Sequence, residues 1–96
     1  METVVAHEAP LSAAEIGKLR WRCRRGLLEN DLLIERFFAA HGGAITRPMA
    51  HAIEALMELA DNDLLDLLLR RREPEGPLAL PQVRRVLELM RRPPRP

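Results

Sequence analysis

Leu19-Arg20-Trp21-Arg22-Cys23-Arg24-Arg25-Gly26-Leu27-Leu28-Glu29-Asn30-Asp31 sets four arginines, a lone tryptophan, a glycine and two carboxylates directly before the apolar run Leu32-Leu33-Ile34. The residues on both sides of Gly26 suit helices. A glycine inside a helix costs about 1 kcal/mol relative to alanine, so Gly26 marks a helix end or a place where another backbone comes close. It is read as the corner between two helices. An arginine just before such a corner can bond the last carbonyls of the first helix. Glu29 and Asp31 fall in the first turns of the second, where the helix dipole favours negative charge. Two readings stay open on these grounds, a capped helical corner and a binding surface. Exposed Arg–Glu pairs contribute only about 0–1 kcal/mol, so stability alone does not decide between them.

Working outward, the chain reads as a series of helices. Ser12-Ala13-Ala14-Glu15 fits a capping box, and Leu11 with Ile16 fits a hydrophobic staple, so the first helix starts at Ala13. Its apolar stripe is Ile16, Leu19 and Cys23; Lys18, Arg22 and Arg25 share another face, and Trp21 lies off the stripe, as a lid on the core or as an interface residue. The second helix, over 27–40, is apolar over a wide arc, with Leu28, Leu32 and Phe38 or Leu33 and Phe37 at helical spacing, and is expected to be the most buried. Gly42-Gly43 should stop it in the left-handed conformation. Thr46 is placed to cap a third helix carrying Met49, Ala52, Ile53, Leu56 and Ala60, with Pro48 in its first turn. Asp61 is expected to cap a fourth, over 62–71, rich in leucine and ending in Arg70-Arg71-Arg72, which suits the negative helix pole. After a linker over 73–77, Pro81 opens a fifth helix with Val83, Val86, Leu87 and Met90 inside and Arg84, Arg85, Arg91 and Arg92 solvated.

Composition agrees with an all-α fold. The 96 residues make one small domain, of which roughly 60% of the unfolded surface is buried on folding. Hydrophobic residues form 47% of the chain, with Trp21, Phe37 and Phe38 as its aromatics and no tyrosine, a core composition that suits helices better than sheets. The expected organisation is a flexible segment over 1–10, one helical domain over 11–91 and a disordered tail over 92–96. Fifteen basic residues against 14 acidic leave a net charge of +1, so no general drive toward nucleic acid or an anionic membrane exists. No apolar stretch approaches the roughly 20 residues of a membrane span, and the first ten residues do not resemble a signal peptide; a cytoplasmic protein is expected.

No catalytic residue emerges. His7, His41 and His51 sit on different segments without the spacing of a zinc site, so no metal is expected. Glu29 and Asp31, two apart on a helix, point away from each other and make no shared-proton dyad. Cys23 is a single cysteine, which excludes an intrachain disulfide, and its place on the apolar stripe points to a buried thiol.

The run Arg24-Arg25-Gly26-Leu27-Leu28-Glu29-Asn30-Asp31 resembles the Arg-Gly-x-x-Glu motif, with its trailing aspartate, of the succinate dehydrogenase assembly factors, SdhE in bacteria and assembly factor 2 in mitochondria. Trp21 and Cys23 stand where many members have them, and Asp61-Asn62-Asp63-Leu64 is similar to the family's second block. The resemblance runs without a gap from residue 19 to residue 68. Asn30 stands where the family usually has an apolar residue, Leu67 replaces a frequent tryptophan, and Arg47-Pro48-Met49 replaces an acidic helix start.

The resemblance implies a small five-helix bundle that acts as a chaperone rather than an enzyme. It binds the flavoprotein subunit of succinate dehydrogenase, or of fumarate reductase, and helps FAD become covalently attached to a histidine of that partner. The flavin is inserted into the partner and not held stably by the factor itself, which is expected to be a bacterial cytoplasmic monomer. The residues it assigns to partner binding are Arg25, Gly26, Glu29 and Asp31, with Trp21 and Arg24 beside them. The rival readings are an arginine-rich helix that binds nucleic acid through phosphates, with Arg20, Arg22, Arg24 and Arg25 as its footprint, and an antitoxin-like interaction module.

Overall fold

The computed structural model describes residues 9–24 and 26–91. Five helices follow one another: α1, Ala13–Arg22; α2, Leu28–His41; α3, Arg47–Met57; α4, Asp61–Leu68; and α5, Pro81–Arg91. The described residues form no strand, only an isolated antiparallel bridge between Pro10 and Thr46. The fold is the expected all-α, five-helix one. Residues 1–8 of the anticipated N-terminal segment and the whole 92–96 tail lie outside the described residues.

α1 begins where its capping box requires. The Glu15 amide donates to Ser12 Oγ at 3.2 Å, and the Ser12 amide donates to Glu15 Oε1 at 2.9 Å. That backbone N–H, together with Arg47, holds the Glu15 carboxyl below its ordinary pKa. The Leu11 amide donates to the Ile45 carbonyl at 2.8 Å, which fastens the start of the domain to the segment before α3. Leu11 and Ile16 are both partly buried against the core.

α2 meets expectation only in part: Phe37 and Phe38 are buried and Leu33 packs on the core. Its buried stripe is Asn30, Ile34, Phe37 and Phe38, whereas Leu28 and Leu32 are 68% and 52% exposed. Apolar side chains lie at almost every angle around this helix, so periodicity could not choose a face, and the polar Asn30 went inside. Nor is α2 the most buried element. The most extensive contact is between α3 and α5, which bring Ala50, Ala52, Ile53 and Leu56 against Val83, Val86, Leu87 and Met90. α2 and α4 close the other side of this pair, with Phe37 and Phe38 in edge-to-face contact at 5.4 Å.

Several helix ends differ from the reading of the sequence. Gly42 keeps a right-handed φ of −55°, and the chain continues into a 3₁₀ turn, Gly42–Ala44, that delivers Ile45 fully buried to the core. Thr46 occupies the cap position of α3 but makes no side-chain capping bond, and neither does Ala60 before α4. Asp61 is thus the first residue of α4 and not its cap, while the exposed Ala60 falls outside α3.

α4 stops at Leu68, short of the arginines. The Arg71 amide bonds the Asp66 carbonyl at 2.8 Å and the Arg70 amide bonds the Leu67 carbonyl at 3.2 Å, the crossed pair of a Schellman ending. This places Arg70 at φ +64°, a conformation that favours glycine. The three arginines form ion pairs instead of lining the last turn: Arg70 with Glu88, Arg71 with Asp66 and Arg72 with Asp63. Arg70→Gly is therefore expected to stabilise the fold by about 0.5–1 kcal/mol, because relief of the backbone strain outweighs one exposed ion pair. Urea unfolding checks it, and a loss of stability would count against this account.

α5 opens at Pro81 and carries the expected stripe, but Arg91 is not solvated. Its side chain is only 5% exposed. Nε donates to the Leu67 carbonyl at 2.7 Å, Nη2 to the Arg72 carbonyl at 3.1 Å and Nη1 to Glu73 Oε1 at 3.3 Å. One guanidinium thereby joins the end of α5 to the end of α4 and the loop after it.

Candidate functional site

Gly26 sits between α1 and α2 with φ +85°, so the corner has a backbone conformation that L-residues adopt at a cost. A Cβ built on it meets nothing within 4 Å. Apart from its two chain neighbours, no described residue comes that close to the Cβ position, and the positive φ supports the helix end over a close backbone approach within the chain. The space in front of Gly26 is open to solvent or to another molecule.

Asp31 holds the corner. Leu27, at the cap position of α2, has no side chain able to bond the first amides, and Asp31 Oδ2 instead accepts the Gly26 N–H at 3.1 Å. A carboxylate in the first turn also complements the helix dipole. Asp31 is half-buried, and this bond is internal to the chain. Glu29 differs. It is exposed, and its carboxylate makes no hydrogen bond or ion pair with another described residue. Arg25, the remaining motif residue, lies outside the described residues.

Trp21 is 71% exposed, so it is no lid on the core. The Arg24 guanidinium carbon stands 5.8 Å from the centre of its ring, a cation–π pair one helical turn apart. Cys23 is buried as its stripe position implied, and its amide bonds the Leu19 and Arg20 carbonyls at the end of α1.

Two features of the site were not read from the sequence. Arg20 on α1 and Glu35 on α2 are joined through Arg20 Nε and Glu35 Oε1 at 3.1 Å, and the Arg20 guanidinium also lies 5.9 Å from the Phe38 ring centre. The hydrogen bond from Arg20 holds the Glu35 carboxyl below its ordinary pKa, so the link is intact at neutral pH. It bridges the two helices that flank Gly26. Fifteen residues separate the pair, and no local spacing announces it.

The second is Asn30, fully buried beneath the corner. Its Nδ2 donates to the Asp61 carbonyl at 3.3 Å, but Oδ1 has no partner. An unsatisfied buried acceptor costs about 1–3 kcal/mol. Asn30→Leu is expected to raise stability by about 1–2 kcal/mol, since it removes that cost and adds apolar burial. A melting temperature at or below that of the unmodified chain would contradict this.

Gly17, Arg20, Trp21, Arg24 and Glu35 line a shallow depression of about 310 Å³ beside the corner. Nothing in it pairs a nucleophile with a base. Among the described residues, no group of three or more His, Cys, Asp or Glu side chains could hold a metal ion. His51 is exposed, and His41 rests against Phe37 with ring centres 5.5 Å apart. No described helix is long and apolar enough to cross a membrane. What the arrangement offers to solvent is a carboxylate that can accept hydrogen bonds at Glu29, a guanidinium that can donate them at Arg24 and apolar area at Trp21.

The model of the family described as flavinator of succinate dehydrogenase matches residues 17–93, a span that contains the whole site. The chain is 55% identical over 74 residues to the FAD assembly factor SdhE of Ralstonia nicotianae, covering 77% of this chain and 78% of that protein. It is 35% identical over 72 residues to the protein of the same name from Coxiella burnetii, with 75% and 88% covered. The Legionella pneumophila protein of that name is 38% identical over 64 residues, with 67% and 81% covered. No solved structure matches the chain significantly. With both flanks of the Gly26 corner inside the matched span, the chain belongs to the flavinator of succinate dehydrogenase family, whose relatives are named as assembly factors and not as catalytic enzymes.

Proposed function

We propose that this protein binds the flavoprotein subunit of succinate dehydrogenase, and of fumarate reductase where one is present, and promotes covalent attachment of FAD to a histidine of that subunit. It acts as a monomer in the bacterial cytoplasm and keeps no flavin itself. The observation that carries this reading is the corner: a left-handed glycine facing open space, with the Glu29 carboxylate, which no other described residue engages, one turn away. Membership of a flavinator family supplies the partner class.

The bond-forming chemistry belongs to the flavoprotein and its cofactor. This chain contributes recognition. A flat backbone approach at Gly26 brings the partner close, Arg25 and Glu29 make directional hydrogen bonds across the contact, and Asp31 keeps the corner in shape from within. Binding promotes flavinylation only as far as it favours the competent conformer of the partner over the others. A nucleic-acid role is disfavoured because two of the four arginines of that footprint are engaged within the chain, Arg20 with Glu35 and Arg22 with Glu54.

Co-expression with the cognate flavoprotein subunit, in a host that lacks its own assembly factor, tests the reading. Flavin fluorescence that stays with the subunit through denaturing electrophoresis should depend on this chain. Equal fluorescence with and without it would refute the proposal.

A further inference from the structure

α2 is apolar on two opposite sides. Ile34, Phe37 and Phe38 face the core, while Leu28, Leu32 and Ala39 follow one another at spacings of four and seven along the outer face, all exposed. The next turn of that outer face carries Glu35, which shares the depression beside the corner with Trp21, Arg20 and Arg24 of α1. Trp21, Leu28 and Leu32 are also the most exposed of the large apolar side chains among the described residues, at 71%, 68% and 52%. They flank Gly26 on both sides in sequence, and a surface of this kind on a small protein marks a contact site.

We propose that Trp21, Leu28 and Leu32 form the apolar half of the flavoprotein docking surface, continuous with the Gly26 corner, and that they seat an apolar patch of the flavoprotein with a carboxylate at its edge opposite Arg24. This inference rests on the function proposed above. The carboxylate follows from Arg24, whose guanidinium carbon stands 5.8 Å from the Trp21 ring centre, which acts on Glu35 through charge alone and which hydrogen-bonds no described side chain, so its donors can serve a partner's acceptor. Trp and Arg are also the residue types that most often dominate protein contacts.

A second copy of this chain is a poorer fit. The three side chains expose on the order of 400 Å², against the roughly 800 Å² per partner of a stable interface. The strip is too small to hold a dimer alone and the right size to extend a contact already made at the corner.

The test measures the affinity of the full chain for the purified flavoprotein subunit by calorimetric titration. The double variant Leu28→Glu with Leu32→Glu keeps good helix formers on an exposed face and should retain the circular dichroism and melting temperature of the unmodified protein. It should bind at least about tenfold more weakly, and Trp21→Gln should do the same independently. Unchanged affinity in both variants would overturn the docking surface while leaving the proposed function standing. Absence of binding by the unmodified chain would defeat the proposed function and this inference with it. Sedimentation that finds a dimer dispersed by the double variant would assign the strip to a second copy and overturn the inference.

Discussion

Gly26→Arg is expected to abolish covalent flavin attachment in the co-expression assay while leaving a folded helical protein. The backbone at Gly26, with φ +85°, imposes about 1–2 kcal/mol on any residue with a Cβ. Apart from its two chain neighbours, no described atom lies within 4 Å of where that Cβ would stand, so no clash with another element adds to the strain. The loss therefore falls on contact: the arginine occupies the space through which the partner must approach. Gly26→Ala separates the two effects. It carries the same backbone strain with little bulk, and should lower stability as much as Gly26→Arg but flavinylation far less. Full flavinylation by Gly26→Arg would remove the corner from the mechanism. Equal loss in both variants, at equal stability, would assign the effect to backbone geometry rather than to access.

Arg91→Ala should destabilise the fold by about 2–4 kcal/mol, more than Gly26→Arg or any of the other substitutions. Arg91 bonds two backbone carbonyls and one carboxylate from a side chain that is almost wholly buried. Its removal leaves a void where the buried side chain packed and takes one bond from the Leu67 carbonyl, which keeps the Arg70 amide, and one from the carbonyl of the exposed Arg72, while the Glu73 carboxylate, 64% exposed, returns to water at little cost. For a domain of this size the melting temperature should fall by roughly 10–20 °C. Lysine should restore little, because one ammonium cannot reproduce the planar fork that spans three acceptors. A loss below about 0.5 kcal/mol in urea unfolding would mean that water replaces the guanidinium at these carbonyls. Flavinylation at low temperature should persist, since Arg91 lies on α5, away from the Gly26 corner in sequence and in the elements it joins.

Features that depend on neighbours along the chain were legible from residue order. The Ser12 capping box, the corner at Gly26, the opening of α5 at Pro81 and its stripe of Val83, Val86, Leu87 and Met90 all follow from interactions within a turn or two, and short-range spacing reports them directly. The motif around Gly26 and Glu29 was equally legible, because its residues are contiguous. Packing between helices settled the rest. Which side of α2 turned inward was set by its contacts with α4 and α5, so Asn30 is buried while Leu28 and Leu32 stay outside. The Arg20–Glu35 bridge spans 15 residues and the Arg91 bond to Leu67 spans 24, separations at which no periodicity carries information. Burial and long-range pairing depend on where whole helices are placed, and that placement is fixed by the sum of many small packing energies that no single stretch of residues contains.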